Sequence, residues 1–385
     1  MKNKEIRSAY VHFPFCQKKC PYCDFVSYPL PQKEKEGYID ALLKEMEITK
    51  HLVKEKTPLS TVYLGGGTPS LFSPKEIRRV LDGLSGLFSF APEAEITMEV
   101  NPGTVSMEAL LGYKKAGVNR ISMGVQSFSD SILKNIGRIH DAAQATTAIQ
   151  MVKAVGFSNF SCDLMTGLPG QTEKDAIHSL FSLLDLGVPH ISFYALSIEE
   201  GTPFYQMYQK REELLPTQEE ERRMYHQMLS SLEKKGYRQY EISNCSLPGF
   251  ESRHNLSYWK ALPYYGFGCG AHSYYLGKRR GNTASIEEYQ EALEKENPSL
   301  LDFQQVEEDI TAADEKKEFM LLGFRVTNGV SEEEYQKRFG AELLLDFGDE
   351  IEGLLRQGYI DKKDGRIFIK KEKLDVANIV FREFV

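Results

Sequence analysis

Along the first half of the chain, short runs of β-branched, aliphatic and aromatic residues recur at 9–13, 61–64, 95–100, 120–125, 160–165 and 190–196. Between them lie stretches with apolar residues at three- and four-residue steps: "GYIDALLKEMEITKHLV", "PKEIRRVLDGLSGLF", "SMEALLGYKKAG" and "DAAQATTAIQMVKAVG". Several close near glycine, as helix C-termini do. Strand and helix patterns in alternation predict βα units on a parallel sheet. The rhythm fades after Ser197. The expected fold class is therefore α/β, with an open, partial (β/α)6 barrel rather than a closed eight-unit one.

Residues 217–235 read as one helix, followed by a strand near 237–242. Residues 245–285 are rich in Gly and Tyr, show no clear period and read as loops packed over something. In the tail, "EKKEFMLLGFRV", "SEEEYQKRFG" and "DEIEGLLRQG" look helical, and "YIDKKDGRIFIK" looks like a hairpin turning at Asp364-Gly365. These make a small α+β, winged-helix-like C-terminal domain. The expected organisation is a barrel over 1–245, a loop-rich connecting segment over 246–300, and the C-terminal domain over 301–385.

Charge narrows the partners. With 47 basic and 55 acidic residues the net charge is −8, so no nucleic-acid partner is expected. The C-terminal domain is read as an interaction module or lid. No stretch approaches the ~18 apolar residues of a membrane span, and charges and cysteines interrupt any signal-peptide core in "MKNKEIRSAYVHFPFCQKK". No integral membrane segment is expected, and a cytoplasmic location is.

Half of the six cysteines fall within "CQKKCPYC", as Cys16, Cys20 and Cys23, with C-x3-C-x2-C spacing. A disulfide framework belongs to small secreted chains; here a metal site is expected, while Cys162, Cys245 and Cys269 pack as small apolar residues. Three thiolates in one loop suit three irons of a [4Fe–4S] cluster, leaving the fourth iron open to a small molecule. The competing reading is a structural Cys3His zinc site, with His12 or a distant residue as fourth ligand. The triplet follows the first strand, at the edge where parallel βα folds place their sites. "LGGGTPS" (64–70), "EVNPG" (99–103), "GVQSF" (124–128) and "CDLMTGLPGQT" (162–172) end later strands at the same edge. With Glu99, Gln126 and Asp163 they form a polar ring around one ligand.

This combination of C-x3-C-x2-C, GGGTP, E-x-N-P, GVQS and D-x-M-x-G-L-P-G-Q-T resembles the radical S-adenosylmethionine (SAM) enzymes. More narrowly it resembles the oxygen-independent coproporphyrinogen III oxidase-like branch, from about Tyr10 through the tail. The resemblance implies that Cys16, Cys20 and Cys23 hold a [4Fe–4S] cluster and that SAM chelates its open iron. It implies that Tyr22 packs on adenine, that Gly66, Gly67 and Thr68 line the methionyl end, and that Glu99 sits in the SAM pocket. Tyr10, Gln126, Arg138 (in "GRIH"), Asp163 and Ala195 match SAM-contacting positions, some of them for a second SAM. Electron transfer to the sulfonium would give a 5′-deoxyadenosyl radical.

Two departures separate the chain from the oxidase pattern: Phe25 stands where a further cysteine is expected, and only fifteen residues precede Cys16. Both resemble the heme chaperone group (the HemW type), as does "HNLSYW" (254–259), which matches its H-N-x-x-Y-W signature. On this reading His254 is the axial ligand of heme iron, with Tyr258 and Trp259 as flat contacts. His272, in "GCGAHSYY", is the rival ligand, and Arg253, Lys278, Arg279 and Arg280 are candidates for the propionates. The expected function is to bind heme and transfer it to an acceptor protein, with a flavodoxin-like electron donor. The alternatives are oxidative decarboxylation of coproporphyrinogen III to protoporphyrinogen IX, another radical SAM porphyrin- or heme-modifying reaction, and a non-catalytic zinc protein.

Overall fold

The computed structural model describes residues 5–29, 35, 37–50 and 57–385. Six βα units come first: β1 (Ser8–Phe13), α1 (Tyr38–Thr49), β2 (Leu59–Gly66), α2 (Pro74–Leu87), β3 (Phe90–Val100), α3 (Met107–Ala116), β4 (Arg120–Gln126), α4 (Asp130–Asn135), α5 (Ala142–Ala154), β5 (Phe160–Thr166), α6 (Glu173–Asp185) and β6 (His190–Ala195). Residues 51–53 of the expected first helix lie outside the described residues. The six strands pair in chain order, all parallel, as the alternation predicts.

Local chemistry sets the helix starts. Ser73–Glu76, Asp141–Gln144 and Thr172–Asp175 form reciprocal capping boxes at α2, α5 and α6, each satisfying amide hydrogens that a helix N-terminus leaves free. Strand alternation then decides what the barrel contains. On β4, Ile121, Met123 and Val125 are buried in the helix-facing core, while Arg120, Ser122 and Gln126 line the interior. On β5, Cys162 and Leu164 face the helices and Ser161 and Asp163 face inward; on β6 the inward pair is His190 and Ser192. The period of two thus makes a polar interior inside an apolar shell.

After β6, α7 (Pro203–Tyr208) and α8 (Gln218–Lys234) lead to an antiparallel pair, β7 (Arg238–Glu241) and β8 (Asn244–Ser246), with β8 on β6. The next segment corrects the expectation. Residues 246–300 are not a loop-rich connector: they hold α9 (Arg253–Trp259), β9 (Tyr264–Phe267), β10 (His272–Tyr275), β11 (Lys278–Asn282) and α10 (Ile286–Glu294). Strand β9 pairs parallel with β1, and β10, β11 and β12 (Gln304–Asp309) follow antiparallel, extending the sheet to twelve strands. The strands are four or five residues long and separated by left-handed glycines, Gly268 (φ 100°), Gly270 (φ 73°) and Gly277 (φ 67°), so no periodicity develops.

The tail holds α11 (Ala312–Gly323), β13 (Val330–Ser331), α12 (Glu332–Phe339), α13 (Leu343–Gln357), β14 (Ile360–Lys363) and β15 (Arg366–Ile369). Its three-stranded sheet runs β13-β15-β14, and Asp364 (φ 52°) and Gly365 (φ 70°) make the two-residue turn read from sequence. This winged-helix-like unit has its own core, including Met320, Tyr335, Ile351 and Ile367. It attaches to the barrel through Ile242 N–H to Arg325 O (3.1 Å) and Thr327 N–H to Tyr240 O (3.0 Å).

One buried carboxyl ties the added strands to the barrel. Glu45, on α1, accepts from Gly268 N (2.7 Å), Asn282 Nδ2 (2.8 Å) and Tyr289 Oη (2.5 Å). Burial pushes its pKa up to about 7. Glu45→Ala leaves Gly268 N and Tyr289 Oη without this acceptor and Asn282 Nδ2 with only Gly268 O, and is expected to cost about 3 kcal/mol or more in urea unfolding, with Glu45→Gln milder. A loss under ~1 kcal/mol for the alanine variant would contradict this role.

Candidate functional site

The cysteine loop leaves β1 at the C-terminal edge of the barrel. Its root is fixed by buried Phe13 and Phe15 and by paired bonds from Cys16 N to Tyr28 O (2.9 Å) and Tyr28 N to Pro14 O (2.8 Å). Thr68 Oγ1 lies 3.7 Å from Cys16 Sγ, and Arg138 Nη1 lies 3.7 Å from Cys20 Sγ. Burial pushes the Cys16 and Cys23 thiols up.

The glycines of "LGGGTPS" serve packing as much as ligand approach. A Cβ on Gly67 would sit 2.7 Å from Phe15 O and 2.8 Å from Phe13 O, and one on Gly66 would sit 2.5 Å from the His12 ring. Gly67 N–H donates to Phe13 O at 2.8 Å, so the loop can pass only without side chains. Gly137 does the same beside Pro21, letting Arg138 reach Cys20 and donate to Gly124 O at 2.5 Å.

The rim residues converge as expected. Cys16, Cys20, Cys23, Gly66, Gly67, Thr68, Glu99, Gln126, Arg138 and Asp163 all line one cleft of about 180 Å³. Glu99 accepts from Tyr63 Oη (2.8 Å) and Gly66 N (3.0 Å), yet burial still holds its pKa at about 7. Asp163 is pushed up to about 6, again by burial. Gln126 sits at φ 71°, a left-handed conformation costly for a non-glycine residue, and its Oε1 has no partner among the described residues. Tyr22 lines the same cleft and packs near Phe204. Ala195 differs: it is exposed at the end of β6 while its neighbours Tyr194 and Leu196 line the interior.

The donor set bears on the zinc reading. A single zinc needs its ligands converging on one point, with Zn–S about 2.3 Å. Among the described residues no three His, Cys, Asp or Glu side chains converge in that way. His12 is also committed: its Nε2 donates to Val26 O (2.7 Å), which leaves Nδ1 to accept from Tyr10 Oη (2.7 Å). The zinc reading with His12 is therefore corrected.

The expected heme ligands separate sharply. His254 is buried inside the barrel, stacked on Tyr63 (5.1 Å between centroids). Its Nδ1 bonds Thr61 Oγ1 (2.9 Å) and its Nε2 bonds Tyr258 Oη (2.9 Å). Thr61 gives its own hydrogen to Ser8, so Nδ1 donates and Nε2 accepts, and no lone pair is left for iron. Burial pushes its pKa down to about 3. Trp259, at the other end of α9, instead faces the cleft towards the C-terminal domain, with Arg325 4.3 Å over its ring. Arg253 is held by Glu93 O and Glu95, Lys278 by Asp309, Arg279 by Glu308 and Glu318, and Arg280 by Tyr275 O. Three of the four cations are thus paired with acids, whereas Arg280 meets only a backbone carbonyl and the Tyr275 ring; sequence shows charge but not its partners.

His272 stands differently. It begins β10, is half-exposed, and its Nδ1 bonds Glu307 Oε2 (2.9 Å), with no partner for Nε2 among the described residues. In the sheet it lies in one row with Tyr10, Gly266 and Gly281, flanked by two residues without side chains. Phe25 is 63% exposed and shares a cavity of about 240 Å³ with Tyr10, Tyr63 and Tyr258.

Sequence reasoning missed the deeper interior. Below the cleft lies a chamber of about 400 Å³, walled by Arg120, Ser122, Ser161, His190 and Ser192 besides the rim carboxyls. The signal was present in "RISMGVQ", "FSCDLMT" and "HISFYA", where polar residues hold every second position.

Comparison with known proteins agrees with this geometry. Residues 10–183 match the model of the radical SAM superfamily, and residues 310–372 match the HemN C-terminal domain. The chain is 37% identical to heme chaperone HemW of Bacillus subtilis over 99% of both chains. It is 41% identical to heme chaperone HemW of Escherichia coli over 69% of each. Among solved structures, the coproporphyrinogen III oxidase HemN of E. coli, a radical SAM enzyme, superposes with a TM-score of 0.84 at 21% identity, covering 99% of this chain and 90% of that one. That likeness concerns the fold.

The raised acids give a pH dependence with a definite sign. Glu99 keeps its proton in the folded chain up to about pH 7, whereas its unfolded value is 4.5. The native state therefore binds more protons across that window, and stability falls as pH rises through it. In the ligand-free protein, Glu99→Gln is expected to flatten part of the fall in melting temperature between about pH 5 and 8. Parallel curves for variant and wild type would contradict the shift.

Proposed function

The chain belongs to the heme chaperone HemW family of the radical SAM superfamily, and we propose that it binds a [4Fe–4S] cluster, SAM and heme, and passes the heme to an acceptor protein. The carrying observation is the cleft in which Cys16, Cys20 and Cys23 share walls with Gly66–Thr68, Glu99 and Gln126. Cys16, Cys20 and Cys23 would hold the cluster. When bound, it supplies an electron and an open iron that a small molecule can chelate.

The chain's own residues prepare the rest. Gly66 and Gly67 bring backbone close to the methionyl end, and Thr68 and Arg138 set the two sulfurs they contact. Glu99, raised by burial to about 7, ionises readily beside a cationic ligand, so it favours the ammonium or sulfonium character of SAM. Tyr22 offers a flat face for adenine. Tyr10, Gln126 and Asp163 line the walls, with Ala195 at the rim.

For heme, His272 is the better-placed iron ligand. A carboxylate on Nδ1 fixes the tautomer and leaves the Nε2 lone pair free, the arrangement that metal-binding histidines use; Gly266 and Gly281 let the His272 backbone and the Glu307 carboxylate pack closely there. His254 is read instead as a positioning residue that holds Tyr63 and Tyr258. The exposed Phe25, in the place of the oxidase's further cysteine, favours heme handling over coproporphyrinogen decarboxylation. A flavodoxin-like protein would supply electrons, and the reducing cytoplasm suits a chain whose six cysteines are all unpaired thiols.

Hemin titration of the cluster-reconstituted protein tests this. A saturable Soret change is expected in wild type, weakened about tenfold or more by His272→Ala and retained in His254→Phe. No saturable change in wild type, or loss with His254→Phe alone, would overturn the assignment. The same protein, reduced and given coproporphyrinogen III, is expected to form no protoporphyrinogen beside an active oxidase control.

A further inference from the structure

Arg120 heads the fully buried side chains by volume. Its guanidinium makes no hydrogen bond or ion pair with any described residue, and Nε has no partner of any kind. Every nearby acid is engaged elsewhere. Glu95 accepts from the α9 backbone at Arg253 (3.3 Å) and His254 (3.1 Å), Glu99 is bound to Tyr63 and Gly66, and Asp163 is bonded to Ser192. Two further buried groups in the same region lack partners: Nδ1 of His190 on the chamber wall, and Oγ1 of Thr97, which sits opposite Arg120 in the ladder. A buried charge without hydrogen bonds is costly, and here the protein offers Arg120 only through-space attraction, chiefly from Asp163.

Position narrows what could offset that cost. Arg120 opens β4 and Gln126 closes it, about 20 Å apart along the strand, yet both line the same chamber. The guanidinium therefore lies deep, away from the cysteine loop, where cluster-bound SAM would not place its iron-chelating carboxylate. Its planar fork of donors matches a carboxylate in bidentate fashion.

We propose that Arg120 binds the carboxylate of an organic ligand seated in the barrel interior beneath the cluster cleft. This rests on the function above, and the carboxylate has two possible sources: a heme propionate, or the amino-acid end of a SAM molecule not bound to the cluster.

Equilibrium titrations of cluster-reconstituted wild type and Arg120→Met with hemin, hemin dimethyl ester and SAM test it. A propionate source weakens hemin binding about 10- to 100-fold in the variant, with the ester indifferent to the substitution. A SAM source weakens SAM binding by a similar factor and leaves hemin unchanged. Unchanged affinities for both overturn the proposal. Melting temperature separates ligand binding from structure. Ligand-free Arg120→Met, which removes a buried charge that makes no hydrogen bond or ion pair, is expected to melt no lower than wild type, and a lower value overturns the proposal in favour of a structural role. If Arg120→Met does not fold, Arg120→Lys keeps the charge but loses the fork, and unchanged affinities there overturn the proposal equally. Wild type that binds neither hemin nor SAM refutes the function above, and the melting comparison then decides Arg120 by itself.

Discussion

The structure depends on one constraint: polar and ionisable side chains are buried, on the inward faces of the parallel strands and on the helices packed against the sheet, where burial penalises their charged forms. Burial raises Glu45 and Glu99 to about 7 and Asp163 to about 6, and lowers His254 to about 3. Groups with a constructional task are fully bonded. Glu45 takes three donors, Glu95 caps α9, and His254 uses both ring nitrogens. Three of the groups left with an unpartnered buried atom, Arg120, Gln126 and His190, line the chamber, while others, such as Glu241, Asn244 and Arg325, lie elsewhere.

The same distinction reorders the histidines and cations. A histidine can ligate iron only if a nitrogen lone pair is free, and His254 has none in this arrangement, while His272 keeps Nε2 open with its other nitrogen held by Glu307. The strands that carry His272 pair with β1, beside the cysteine loop. The segment after the barrel thus brings a candidate heme surface next to the cluster cleft within one continuous sheet.

The six parallel strands were legible because apolar runs alternate with helical patterns, several of them opened by capping boxes. The rim of the site was legible because its motifs fall at successive strand ends. Strands β9 to β11 were not, since runs of four or five residues between glycines carry no period and their partner β1 lies some 250 residues earlier in the chain. Arg120 reads in sequence as an ordinary charge at a strand start, and only closure of the barrel puts it inside. The state of His254 was equally hidden, because its partner Thr61 is 193 residues away.

An anomalous iron map from crystals of the cluster-loaded protein soaked with hemin is the most direct measurement. The account predicts a compact cluster peak against Cys16, Cys20 and Cys23, and a separate single-iron peak within bonding distance of His272 Nε2. A lone zinc-edge peak at the cysteines, or a heme iron far from the β10 face, would contradict it.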